Sequence, residues 1–299
     1  MKLRQIGERK LTYYVTEKFD IPFDDAAFLP FDNEYIVLTT DMVARRTHFP
    51  EKATFYQMGW YSIAVNISDL AAKGAKPLAY LAAIAMPPSL EEENYREMLN
   101  GMEACIKEHG GKLIGGDTKE ADDIIIAITA MGRVKKEETM FRKGAKTGDA
   151  VYVTGCIGRG GAALLEGNMD DLLLIKPRIK EGIMLAESRV ATACMDLSDG
   201  LASSLYQLAK INGIGFKIYE DMLPVSKVAK KYENWLEIAL YYGGDYELLF
   251  TSSEEKAEKI KEKINARKIG EVIKERKVTL VKNGREIEME NRGYEHFRE

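Results

Sequence analysis

Residues 35–41, YIVLTTD, begin as a buried strand should, with branched and aromatic apolar side chains, then end in two hydroxyls and a carboxylate. A strand that belongs in a core has no packing reason to finish on three oxygen donors. The pattern returns: AVNISD ends at Asp69, KLIGGD at Asp117, and ATACMDLSD runs through Asp196 to Asp199. With Asp24 and Asp25, seven aspartates are expected at the ends of elements. In α/β sheets, ligands collect beyond the carboxyl ends of the strands. Carboxylates gathered there repel one another and raise each other's pKa. A hard cation such as Mg²⁺ removes that penalty, prefers oxygen ligands and usually binds together with substrate phosphates. Thr39, Thr40 and Ser198 offer further hydroxyl oxygens. The competing reading is helix N-caps and Asx turns, the common role of Ser or Asp after a strand. It suits any single aspartate better than it suits the set.

Outward from that stretch, the first half alternates strand and helix signals. A helix is expected from Thr54 to Lys73, closed by Gly74, and another from Leu90 to His109, ended by Gly110 and Gly111. KPLAYLAAIAMPP, KLIGG and DIIIAITAMGRV read as strands. The stretch KKEETMFRKGAKTGD is charged and poor in apolar residues, so a boundary is expected there, dividing residues 1–138 from 139–299. The second half restarts with AVYVTG and a GRGG turn. Helices are expected near Arg178–Arg189 and Leu197–Ile211, strands at GFKIY, YELLFT and KIGEVI, and a final hairpin with an Asn-Gly turn. The GRGG turn is equally open to two readings, a phosphate cradle and a tight turn.

Bulk properties exclude several classes. A length of 299 residues suits two domains, and a net charge of −4 argues against nucleic-acid binding through bulk charge. The three cysteines have no metal-ligand spacing and suit a reducing compartment. No apolar run approaches a membrane span and no signal core opens the chain, so a cytoplasmic location is expected. There is no Walker loop and no HRD or DFG set. His48 follows Asp41 on a loop with Arg45 and Arg46. A lone His is more often structural than functional. His109 sits where a helix dipole favours it, and His296 lies in an aromatic tail, GYEHF.

Taken in order, DDAAF, TTDMVARRTHF, GWYSIAVNISDLAAKGAKP, LIGGDT, RKGAKTGDAVYVTG, MDLSDGL, GGDYELLFT and GYEHF resemble the thiamine-monophosphate kinases. That family belongs to the superfamily of aminoimidazole ribonucleotide synthetase, selenophosphate synthetase and a hydrogenase maturation factor. The resemblance covers almost the whole chain. It implies an α/β (α+β) two-domain fold like that synthetase, each domain a mixed sheet packed with helices. It implies ATP-dependent phosphorylation of thiamine monophosphate to thiamine diphosphate on a homodimer, by direct in-line transfer with several Mg²⁺ ions. Asp25, Thr39, Thr40, Asp41, Asp69, Asp117, Asp196 and Asp199 would hold or support the metal ions. Gly116, Asp117, Arg142 and Ser198 would contact ATP, and His48 and Tyr294 the thiamine substrate. No residue is implied as a general base, since the acceptor is itself a phosphate oxygen.

Two departures matter. The family commonly carries a glutamate where Gly244 stands, so a substrate-side contact is either lost or supplied by Asp245 or Glu247. Phe23 replaces the glycine usual before the paired aspartates. The alternative is another ATP-using member of the superfamily, of the aminoimidazole ribonucleotide synthetase or hydrogenase-maturation type. Against the siblings, no reactive Cys lies near the N-terminus, and the chain ends HFRE rather than in a cysteine tail.

Overall fold

A computed structural model describes residues 3–297. The first half contains α1 (Glu8–Phe19), β1 (Ala27–Phe31), β2 (Glu34–Ala44), the short α2 (Arg45–His48), α3 (Phe55–Ala72), β3 (Lys76–Met86), α4 (Glu92–His109), β4 (Leu113–Glu120) and β5 (Ile125–Lys135). Its five strands run in the order β1-β2-β5-β3-β4, with β3 and β4 parallel and the other neighbours antiparallel. The second half contains β6 (Ala150–Thr154), α5 (Arg159–Glu166), α6 (Met169–Leu173), α7 (Ile179–Ser188), β7 (Ala193–Asp196), α8 (Leu201–Asn212), β8 (Gly215–Tyr219), α9 (Trp235–Tyr241), β9 (Leu248–Ser252), α10 (Glu254–Ala257), β10 (Ala266–Ile273), β11 (Val278–Lys282) and β12 (Arg285–Glu288). This sheet runs β12-β11-β8-β10-β6-β9-β7, again mixed, because β8 and β11 are parallel.

Helix α3 positions the site. Thr54 caps it by accepting from the Gln57 N–H, and the Gln57 side chain accepts from the Thr54 N–H in return. Fourteen of its eighteen residues are buried, because it packs on the first sheet and on the second half at once. Trp60 Nε1 donates to the Ile175 carbonyl at 2.9 Å, and Lys73 Nζ to the Cys194 carbonyl at 3.0 Å. One apolar core therefore continues from Val37 of β2 to Ala266 of β10. Each fully buried Ile or Leu in it contributes on the order of 1.5–3 kcal/mol. On the other side of α3, Gly59 meets α4 so closely that a Cβ there would stand 1.9 Å from the Met98 carbonyl oxygen.

Among the described residues, no helix lies over the other face of the first sheet. All of β4 is exposed, and so are the large apolar side chains of Leu29, Phe31, Met42, Leu81 and Ile114.

Several expected boundaries move. β2 does not end at Asp41 but continues to Ala44, with Asp41 facing Ile128 of β5. Asp69 is helical and Asp117 lies inside β4, so neither ends a strand. The second-half helix starts at Leu201 rather than Leu197, because Leu197–Gly200 form the loop that carries Ser198 and Asp199.

Candidate active site

Of the converging carboxylates, only Asp196 lies at a strand end. Asp25 arrives on the loop before β1, Asp41 from within β2, Asp69 from the last turn of α3, and Asp196 from the end of β7. Oxygens of Asp25, Asp69 and Asp196 all lie within 4.8 Å of one another. The Thr39 hydroxyl donates to Asp69, Ser68 Oγ donates to Asp196 at 2.6 Å, and the Asp41 N–H donates to Asn66 Oδ1 at 3.1 Å. Burial, then the neighbouring acids, holds Asp69 well above the usual carboxylate range. Burial also pushes Asp41 up to about 6 and Asp196 up to about 7, and it raises Asp199.

Asp25 behaves differently. Burial raises its pKa, but Arg142 and then Lys73 outweigh burial and lower it. The Lys73 ammonium, fully buried, stands 2.5 Å from Asp24 and 2.6 Å from Asp25. The Arg142 guanidinium binds Asp25 through Nε at 2.8 Å and through Nη2, and donates from Nη1 to Gln207 at 3.0 Å. The Phe23 ring lies 5.2 Å beneath that guanidinium. Lys73 was not among the residues expected from sequence. Its signal was a lysine in the buried helix LAAKGA, four residues after Asp69 and so on the same face.

Asp41, Asp69, Asp196 and Asp199, with Ser198, line the acid end of a cavity of about 1120 Å³. The far end is aromatic. His48 Nδ1 accepts from the Ala44 N–H at 3.2 Å, which leaves Nε2 to carry a proton. Burial and the facing His296 ring, 4.7 Å away, lower the His48 pKa. The Tyr294 hydroxyl donates to the Thr47 carbonyl at 3.3 Å. The tail is tied to the start of α1, since Arg9 Nη2 donates to the Tyr294 carbonyl at 2.9 Å and the His296 N–H to Glu8 at 3.1 Å. It is also tied to the acid end, where the Tyr294 N–H donates to the Asp199 carbonyl at 3.1 Å. Glu8, Tyr61, Tyr246 and His296 join the wall without having been singled out as site residues.

Within one chain, two expected groups stay apart from the acids. Strand alternation turns Thr40 to the opposite face of β2 from Thr39 and Asp41, where its hydroxyl donates to the Ile128 carbonyl at 3.0 Å. Gly116 and Asp117 lie on the exposed edge strand β4, with Asp117 3.6 Å from Lys119.

The GRGG stretch is the start of α5, with Gly158 at the N-cap and Arg159–Gly161 in the first helical turn. Asp245 accepts from the N–H groups of Gly158 at 2.7 Å and Gly160 at 3.0 Å, so those amides are taken. Glu247 is equally committed, accepting from Arg178 twice at 2.6 Å and from Thr154 at 2.7 Å. Neither carboxylate faces the cavity to stand in for the glutamate absent at Gly244, which does line it.

Comparison with known proteins adds a second line. The AIR synthase related protein N-terminal domain profile matches residues 23–134, and the corresponding C-terminal domain profile matches residues 146–283. A thiamine-monophosphate kinase of Methanospirillum hungatei is 40% identical over 239 residues, 79% of this chain and 82% of the relative. One from Pyrococcus horikoshii is 33% identical over 270 residues, 86% of each chain. A solved structure, AaThiL complexed with AMPPCP and TMP, superimposes with a TM-score of 0.89 at 28% identity and covers 99% of both chains.

Proposed function

The chain belongs to the AIR synthase related family and, within it, to the thiamine-monophosphate kinases, and from that premise we propose how it phosphorylates thiamine monophosphate with ATP. The observation that carries the reading is a single cavity with clustered carboxylates at one end and the rings of His48, Tyr294 and His296 at the other. A phosphate ester of an aromatic cation has the same two halves.

The acid end fits Mg²⁺. Its donors are all oxygens, and Asp25 Oδ2 is buried without an aligned hydrogen-bond donor although the Lys73 ammonium is close. Asp25, Asp69 and Asp196 would hold the ion, with Asp41 and Asp199 beside them and Thr39 orienting Asp69. Bound there, Mg²⁺ would supply neutralisation of the charge on the transferring phosphates. The chain's own residues bind and orient. Arg142, now on Asp25, turns to a nucleotide phosphate, and Ser198 lies on the same loop as Asp199. The acceptor oxygen is ionised near neutral pH, so transfer is direct and in-line and asks for positioning rather than a general base. His48 and Tyr294 hold the thiamine rings beside Gly244.

The bare apolar face of the first sheet supports a homodimer, since exposed patches of this kind mark interaction surfaces. Pairing there brings Gly116, Asp117 and Thr40 of each chain into contact with the partner. A domain division at residue 138 completes the reading. The test is purified protein with thiamine monophosphate, Mg²⁺ and labelled ATP. Labelled thiamine diphosphate is expected, and label appearing only as free phosphate would refute the assignment.

A further inference from the structure

Between the two ends of the cavity stands a pair of phenols with no assigned part. Tyr61 of α3 and Tyr246, two residues before β9, meet hydroxyl to hydroxyl at 2.6 Å, with their rings nearly perpendicular at 84°. Both line the cavity. Neither hydroxyl has another hydrogen-bond partner among the described residues. Proton counting then matters. Two phenols carry two protons, the bond between them uses one, and one O–H remains without an acceptor. Tyr246 is 7% exposed and the deeper of the two, whereas Tyr61 is half-buried. The arrangement that leaves no donor stranded in the interior has Tyr246 donating to Tyr61, with the Tyr61 proton turned to the cavity.

The backbone shows that the placement is enforced. Tyr246 has a φ of +51°, a left-handed conformation that bulky side chains rarely adopt. It is held there by its own N–H on the Leu197 carbonyl at 2.9 Å, and two residues earlier the Gly244 N–H binds the Ser198 carbonyl at 2.8 Å. A ring serving only to fill the core has no need of a strained residue. Burial raises the Tyr61 pKa to about 12, so the group stays a donor throughout the neutral range. Tyr61 also precedes Asp69 by eight residues, about 12 Å of helix rise, which leaves room for a phosphate group between them.

We propose that Tyr61, oriented from behind by Tyr246, donates a hydrogen bond to the phosphate of the acceptor substrate and positions it between the acid end and the ring end. The inference rests on the proposed function. Nothing reacts at the phenol, so Tyr61 is a binding and positioning residue.

The test compares two ligands, thiamine monophosphate and unphosphorylated thiamine, by titration calorimetry with a non-hydrolysable ATP analogue and Mg²⁺. Tyr61→Phe should weaken thiamine monophosphate about tenfold and thiamine less than about twofold, the scale of one hydrogen bond to a charged group. Tyr246→Phe should have a smaller effect, and the double variant should be no worse than Tyr61→Phe, because the two act as one unit. Melting temperatures confirm that each variant is folded. Equal loss for both ligands would move the tyrosines to the ring subsite and overturn the proposal. Unchanged affinity in folded Tyr61→Phe would make the pair simple core. If the wild type binds neither ligand, the proposed function fails before Tyr61 is altered.

Discussion

At the acid end of the cavity the charged side chains are held by buried partners, whereas the ring end is held by partners that reach solvent. Lys73 and Asp25 are fully buried, and Arg142 is 12% exposed. Tyr294 is 49% exposed, and its hydroxyl bond to Thr47 lies at the surface. The difference follows from what each end must resist. Carboxylates packed together would separate or protonate unless cations held them. Aromatic rings impose no such repulsion and can be supplied by a tail and a short helix. Damage at the acid end should therefore reach stability and turnover, and damage at the ring end only substrate affinity.

The largest effect is expected from Lys73→Met, which leaves Asp24 and Asp25 without their shared ammonium. Breaking a buried pair from one side costs about 3–5 kcal/mol. Urea denaturation measures it, and wild-type stability in the variant would erase the contrast between the two ends. Next comes Asp69→Asn. Loss of one charge that serves the transferring group should lower kcat by roughly a hundredfold or more with circular dichroism unchanged. A near-normal rate at saturating Mg²⁺ would return Asp69 to a purely structural part.

A third expectation concerns pH and belongs to the acid end alone. Asp41 is raised from 3.8 to about 6 and Asp196 from 3.8 to about 7, so the folded metal-free protein holds these protons more tightly than the unfolded chain does. Their contribution to stability is fully present below pH 3.8 and is lost as pH rises through 6 to 7. Mg²⁺ competes with the same protons, so the stabilisation it brings should grow over that window. Melting temperatures from pH 5 to 8 (a range of about three units around these values), with and without Mg²⁺, test this. Parallel curves would show that the acids are not the metal site. The smallest effect is Tyr294→Ala, expected to raise KM for thiamine monophosphate about three- to fivefold, the scale of an aromatic ring facing a cation, with KM for ATP unchanged. A fall in ATP affinity instead would exchange the two ends.

Much of this was legible in the chain. The expected helix from Thr54 to Lys73, closed by Gly74, is α3, and the recurring aspartates announced a shared site. What local signals could not carry was pairing across distance. Asp41 was expected to close a strand, but β2 runs on because β5 pairs with it as far as Ala44. The period of two that makes β2 recognisable also turns Thr40 away from Thr39 and Asp41, which a list of adjacent oxygens overlooks. Lys73 went unnoticed because its partners, Asp24 and Asp25, lie about fifty positions earlier and reach it only through the fold. Asp245 and the GRGG turn were each visible, but not that one occupies the amides of the other.

Helix α3 has a further consequence for motion. Because it is packed into both sheets at once, and its Ser68, Trp60 and Lys73 each bond across to the second half, no hinge axis runs between the halves. Closing them like jaws would tear a continuous core, which does not deform gradually. Any local opening is therefore expected at the ring end, where Tyr294 and His296 are held by hydrogen bonds to Thr47, Arg9, Glu8 and Asp199 rather than by a packed core.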